Sequence, residues 1–385
     1  MRGPGERARV LGSALVLAVA CSGAPDAPPA PDAWRVSAEP TLTIGALEGD
    51  SAYLFEAIAS ARFAADGRIV VADGGLLVVR VFGPDGRFLT QFGGLGDGPG
   101  EFRNLQATWM ASPDTVGAWD SRLARLTYAS LDGTVARVVT LVPGDGVPPG
   151  TNLDFLAGAR TDGSVVIGSV ALGDAEADGR RRDVVALHAF DVGGAFLDTV
   201  ATLGGLIRQR MGQATAPVPF SPFPFVALVR DSAAVTDGSS PTVRVLASDG
   251  GGREVAFPSN EIAPDSARGV LRSALEARDH MMLRFLPDAP PIEAVPHIAG
   301  LLVDDRGRLW TKAFDPGTDA VWLDGGRQVQ GGTWWVADAD GRVVATVALP
   351  SPLRPLEVRD DRILGVSTDA LGVQRVVVHS LAHGG

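Results

Sequence analysis

The chain has 385 residues, 45% hydrophobic and 21% charged, which supports a sizeable core and excludes wholesale disorder. Its 48 glycines and 27 prolines call for many turns rather than long helices. The formal net charge is −11, and it becomes −13 once a leader with three arginines (Arg2, Arg7, Arg9) and Glu6 is removed; so acidic a body repels phosphate backbones and excludes nucleic acid as an expected partner.

The first 20 residues read as a secretory leader: a basic start, then the apolar run from Val10 to Ala20. That run is too short to span a bilayer, which takes about 20 apolar residues. Leu17-Ala-Val-Ala-Cys21 resembles the bacterial lipobox, with Val19 where a small or hydroxyl residue is usual. The resemblance implies cleavage before Cys21 and lipid attachment to it; an ordinary secretion signal is the alternative. Cys21 is the only cysteine, so no internal disulfide can form. A Pro/Ala-rich stretch follows, and residues 21–40 are expected to be a flexible tether. Ser22 after the cysteine is compatible with sorting to an outer membrane.

From there on, short β-branched runs alternate with turn dipeptides. Arg68–Asp73 and Leu77–Phe82 flank Gly74-Gly75, and Asp85-Gly86 leads into Arg87–Phe92, hairpin after hairpin. Asp66, Asp114 and Asp162 fall at intervals of 48 residues, a spacing that fits four short strands per propeller blade. Six first-hairpin turns are expected, at Asp66-Gly67, Pro113-Asp114, Asp162-Gly163, Asp231-Ser232, Arg306-Gly307 and Asp360-Asp361. Loops are expected to lengthen the later units, one ending at Arg180–Asp183 and another over Asp315–Arg327.

The last unit has three strands before Leu381. Leu42-Thr-Ile-Gly45, with Asp50 and Phe55 beyond it, parallels Leu89–Gly93 with Asp97 and Phe102, so the N-terminal strand is expected to complete the last blade and remove its open edge. One segment breaks the pattern. Residues 260–287, between the fourth and fifth units, predict an amphipathic helix capped by Asp265 or Ser266 and stopped by Pro287. Val270, Leu271, Ala274, Leu275, Met281, Met282 and Phe285 would share its apolar face. That face is expected on the blade rims, or else as a lid over the channel mouth.

Gly67–Asp73, Val81–Gly86 and Phe92–Phe102 together resemble the NHL-type repeat of six-bladed β-propellers, and more closely the bacterial propeller lipoproteins of the NHL-like class. Leu302–Trp310, Trp335–Gly341 and Ile363–Val373 are similar to that class's later blades. The resemblance runs from about Leu42 to Leu381. It implies an all-β fold over 41–385: a six-bladed β-propeller with four-stranded antiparallel blades. It says little of function, because the scaffold hosts receptors and enzymes alike.

No catalytic signature stands out. The five histidines (His188, His280, His297, His379, His383) form no HxxH or HExxH pair, and neither a Gly-x-Ser-x-Gly elbow nor a Ser-x-x-Lys occurs. Gly96–Phe102 lacks the Lys-Ser/Thr of a phosphate loop and the spaced carboxylates of a calcium loop, so it reads as a crossover between blades. The six tryptophans outside the leader and tether read as blade-packing residues. Counting back eight residues from the first-hairpin turns gives Ile58, Gln106, Asp154, Phe223, His297 and Leu353. Gln106, Asp154, His297 and the neighbouring Arg354 are therefore candidate channel contacts for a ligand, or ordinary hydrated channel residues.

The reading is thus an envelope lipoprotein, monomeric and anchored through Cys21. It would act as a non-catalytic module for a protein, peptide or glycan, with no metal or other cofactor. The alternative is a metal-dependent hydrolase or lyase of the lactonase type using calcium in the channel, for which Asp154 and Asn104 are the available ligands. A quinone-dependent dehydrogenase built on His297 and Arg354 is a third possibility.

Overall fold

A computed structural model describes residues 31–384 apart from 177–178, 212–213, 248–250, 260, 278–282, 284–285, 287–293 and 320–330. The described chain is almost all strand. After β1 (Asp32–Val36) and β2 (Leu42–Ile44), four-stranded antiparallel units follow one another in chain order. The first is β3 (Ile58–Phe63), β4 (Ile69–Asp73), β5 (Val78–Phe82) and β6 (Phe88–Gly93). The second is β7 (Leu105–Ser112), β8 (Thr115–Asp120), β9 (Arg125–Ser130) and β10 (Val135–Thr140). The third has five strands, β11 (Phe155–Ala159), β12 (Val165–Ala171), β13 (Arg180–Phe190), β14 (Phe196–Met211) and β15 (Ala214–Pro217). The fourth is β16 (Phe225–Val229), β17 (Ser232–Thr236), β18 (Thr242–Leu246) and β19 (Gly252–Ala256).

Helix α1 (Pro264–Ala277) precedes β20 (Ile298–Val303), β21 (Leu309–Ala313), β22 (Gly332–Ala337) and β23 (Val343–Leu349), and the chain ends on β24 (Leu353–Arg359), β25 (Arg362–Thr368) and β26 (Gln374–Ala382). By hydrogen bonding these last two units form one nine-stranded sheet, because β1 runs parallel to β23 and antiparallel to the end of β26. β2 pairs antiparallel with β26, with Thr43 opposite Val377, as the end-to-end reading of the sequence expects.

Alternation of buried and exposed positions explains the units. Both faces of the inner strands are covered: all five residues of β4 are buried. The outer β6 is largely half-buried or exposed. Turns are made as the Asp-Gly pairs predict. Asp66 Oδ1 accepts from the Arg68 amide at 3.1 Å, and Gly67 takes φ +86°, a conformation that only glycine adopts cheaply. The first strands are neighbours in series: β3 lies beside β7, β7 beside β11, β11 beside β16, β16 beside β20, β20 beside β24, and β24 beside β3. At the closing seam an apolar cluster of Ile58, Phe63, Leu364 and Val376 is joined by hydrogen bonds from β3 to β24 and β26. Arg354 Nη2 donates to the Ile58 carbonyl at 2.6 Å, Ile58 N to Gln374 Oε1 at 2.7 Å, and Phe63 N to Glu357 Oε2 at 2.9 Å.

The sheets therefore have two ends. The turn end carries the Asp-Gly hairpins, and the loop end carries the long connections that enter each first strand.

Three expectations need correction. Residues 32–36, read as tether, are a strand, because Trp34 is buried against Trp310 at 5.9 Å between ring centroids and lies under Arg308 at 4.6 Å. Arg180–Asp183, read as the end of a loop, opens the long strand β13. Among the described residues the helix spans 264–277, with 261–263 outside it; residue 260 and most of 278–287 lie outside the described residues. Ala263, not Asp265 or Ser266, stands at its cap: its carbonyl accepts from the Ala267 amide, and Pro264 takes the first helical position. Ala267, Leu271 and Leu275 are its buried stripe against Phe220, Ala299 and Phe314, whereas Val270 is 43% exposed. Met281, Met282 and Phe285 lie outside the described residues. No helix among the described residues is long and apolar enough to cross a membrane.

Candidate functional site

Five of the six first strands carry a bulge near their start, after Ile58, Leu105, Leu156, Ile298 and Pro355. Those positions are the structural equivalents, so counting from the turns drifts by up to two residues. Gln106 is the bulged residue itself. His297 and Arg354 stand at matching positions on neighbouring first strands, and Asp154 is one residue out of step with them.

No hydrogen bond joins any two of these four. Asp154 Oδ2 accepts from the Val170 amide at 2.7 Å. The His297 backbone bridges Gly238 and Phe314, and its buried Nδ1 has no hydrogen-bond partner among the described residues. Arg354 is half-buried, and burial of its guanidinium lowers its pKa to about 10. Asn104 is exposed and donates to Ser121 Oγ at 2.9 Å. Among the described residues no three His, Cys, Asp or Glu side chains converge as metal ligands would. The repeated aspartates are structural: Asp73 and Asp120 are fully buried, and each carboxylate accepts amide hydrogens from both the following turn and the chain entering the first strand.

The site that emerges instead lies at the loop end between the third and fourth units. β13 and β14 outrun their neighbours there, and β15 pairs on β14 over Arg208–Met211, making a ribbon that rises above the sheet. At its foot is a cavity of about 280 Å³. Phe155, Phe223 and Phe225 wall it together with Val170, Val185 and Leu206. Phe223 and Phe225 meet edge-on, 5.5 Å apart between ring centroids.

The one ion pair in this apolar wall is Asp183–Arg208. Asp183 is 2% exposed, and Arg208 Nε reaches both of its carboxylate oxygens, at 3.0 and 2.9 Å. A register shift between Arg182 and Val184 turns Asp183 inward, and Gly205 opposite makes room, since a Cβ there would come within 2.9 Å of Asp183 Cβ.

A second, polar cleft of about 330 Å³ adjoins it across β14, lined by Thr202, Thr236, Ser239, Ser240 and Thr242 with Arg244 and Glu254. Their linings are neighbours: Gly204 lines the cleft and Gly205 the cavity, and Phe225 of the cavity pairs with Thr236 of the cleft. Arg182 bridges to Asp237 at 3.0 Å. Burial pushes the Asp237 carboxyl up, but hydrogen bonds from Ser239 and the Arg182 charge outweigh it and hold the group below its ordinary range. An apolar pocket with a fixed ion pair, next to a hydroxyl-lined trough, suits a ligand with one apolar anchor on a polar chain. Of these residues the sequence singled out only Phe223. The signal for the rest is the run 180–211, strands longer than the repeat allows, of which the sequence reading assigns Arg180–Asp183 to the end of an inserted loop.

No family model matches the chain, and no curated protein matches it. Solved structures do. An exported protein from Bacteroides fragilis is 12% identical, with 91% of this chain and 95% of that one covered and a TM-score of 0.51. A member of the DUF4221 family from Bacteroides vulgatus is 9% identical, with 92% and 99% covered and a TM-score of 0.57. The likeness concerns fold alone and agrees with the β-propeller class of the sheets.

Proposed function

We propose that this chain is a closed six-bladed β-propeller of the cell envelope, tethered through Cys21, that holds a peptide segment of a partner protein at its loop end without transforming it. The observation that carries the reading is the pocket of Phe155, Phe223 and Phe225 around Asp183–Arg208, with the hydroxyl-lined cleft beside it on the neighbouring strands. Such a pair of subsites accepts an apolar side chain and, beside it, the hydrogen-bonding groups of a peptide backbone. The cycle of neighbouring first strands, closed between β24 and β3, supports the six-blade count. β1 begins at the turn end, since Asp32 pairs with Ala345 near the start of β23.

Fluorescence polarisation with a set of capped heptapeptides tests this. Micromolar binding is expected for peptides with a central Phe or Leu, weakened about tenfold by Phe155→Ala or Phe225→Ala. Equal binding of a central Gly peptide, or indifference to both substitutions, would contradict it. Fractionation of cells tests the address: wild type should sediment with membranes and Cys21→Ala should not.

A further inference from the structure

A cleft of about 470 Å³ lies at the opposite, turn end, between the second and third units with its rim on the fourth. Its floor is apolar: Trp109, Met110 and Leu228. Arg137, Arg160 and Arg230 project onto it, and none of the three makes an ion pair among the described residues. The Arg137 guanidinium lies 4.3 Å over the Tyr128 ring, whose other neighbour is Trp109, edge-on at 5.7 Å.

Two donors in this cleft are left over. Tyr128 is 7% exposed; the Arg137 guanidinium beside its buried hydroxyl can only donate to it, so the hydroxyl's own hydrogen has no acceptor among the described residues, and the buried Nε of Arg160 has no partner among them either. Burial, opposed by Arg137, raises the Tyr128 pKa, so the hydroxyl stays protonated and able to donate. A buried donor without an acceptor costs roughly 1–3 kcal/mol, so two of them on residues that line one cleft mark a place where an acceptor is gained on binding. The nearby carboxylates do not fill that role. Asp114 is held by Ser112 Oγ at 2.6 Å, Asp162 accepts from the Ser164 amide at 2.8 Å, and Asp231 accepts from Thr161 at 2.7 and 2.9 Å. None of the three lines the cleft.

We propose that this cleft binds a compact organic oxyanion, a carboxylate or phosphate group on an aromatic or branched apolar body, with the oxyanion held by Arg160 and Tyr128 and the body laid against Trp109. Arg137 and Arg230, exposed at the rim, supply the field that draws the anion in. The volume falls within the range of small-molecule sites, and a planar guanidinium beside a neutral hydroxyl suits a two-oxygen acceptor. This site is separate from the loop-end pocket and does not depend on it.

The test is calorimetric titration of the mature chain with phenylacetate, phenyl phosphate, inorganic phosphate and the uncharged phenylacetamide. Saturable 1:1 binding is expected for phenylacetate or phenyl phosphate, at least about tenfold tighter than for phenylacetamide or inorganic phosphate. Arg160→Gln should weaken it by about tenfold and Tyr128→Phe, which keeps the ring packing, by about threefold or more. Phe155→Ala at the loop end should leave it unchanged. No saturable binding of either organic anion, phenylacetamide binding as well as phenylacetate, inorganic phosphate binding as well as phenyl phosphate, or folded Arg160→Gln and Tyr128→Phe proteins binding like wild type would overturn the proposal.

Discussion

Lys312 is the single lysine among 34 basic side chains, and it is 1% exposed. It sits in β21, where its ammonium is paired with both carboxylate oxygens of Asp319. Burial pushes the Asp319 carboxyl up, against the pull of the Lys312 charge. A buried pair of this kind holds its segment in place more than it stabilises the whole, because desolvation offsets most of the attraction. Removing one partner leaves a stranded charge. Lys312→Met should therefore lower stability by about 3 kcal/mol, while Lys312→Met with Asp319→Leu should recover most of the loss, as read by urea denaturation. A double variant no more stable than the single one would contradict this account of the pair.

His188 is the other buried titratable group of note, 1% exposed between Ser169 Oγ at 2.9 Å and Thr199 Oγ1 at 3.2 Å. Burial lowers its pKa from 6.5. Between the folded value and 6.5 the unfolded chain binds a proton that the folded chain does not. Stability is thus fully present above pH 6.5 and declines as pH falls below it, until the folded-state pKa is passed. Thermal melts from pH 8 to 5 should show a steeper loss for wild type than for His188→Gln, which keeps the hydrogen bonds without the charge. Parallel curves would show that His188 does not titrate in this way.

Among the elements, β1 is the least expected. Five residues join two units by pairing with β23 on one side and β26 on the other, and Trp34 is their anchor. Trp34 contacts Trp310, Arg308 and, at 4.1 Å, the ring of His383. Trp34→Ala should cost about 3 kcal/mol and expose amides of β23 and the end of β26 to hydrogen exchange, leaving β3 to β6 protected. Uniform loss of protection would mean that β1 has no such local role.

The hairpins were legible because Asp-Gly turns and period-two burial are local features. Closure of the last unit by Leu42–Ile44 was legible as well, through its likeness to Leu89–Gly93. β1 was not, because a short strand beside a Pro/Ala-rich stretch has no partner in sequence; its partners are about 310 and 350 residues away. The candidate contacts Gln106, Asp154, His297 and Arg354 came from a count that first-strand bulges upset, and a bulge leaves no mark in a single sequence. The loop-end pocket was missed for a related reason. Asp183 reads as the end of a loop and Arg208 carries no signal until the pairing of β13 with β14 brings them together.

At the scale of the whole molecule, both candidate sites depend on neighbouring units being held at fixed angles, and that in turn depends on closing the series. Ends are fixed by β2 on β26 and by the hydrogen bonds of Arg354, Glu357 and Gln374 to β3. With β1 and β2 paired onto β26 the last unit has no unpaired outer edge, and a chain so closed unfolds as one body, whereas an open row of blades would fray from its ends.

Cross-linking the two termini tests this most directly. In a Cys21→Ser background, Thr43→Cys and Val377→Cys place thiols on directly opposed residues of an antiparallel pair, a separation that a disulfide spans without strain. The closed ring predicts complete intramolecular disulfide formation on mild oxidation of the folded protein and a raised melting temperature. Thiols that stay free and reactive in the folded protein, or that pair only between molecules, would contradict it.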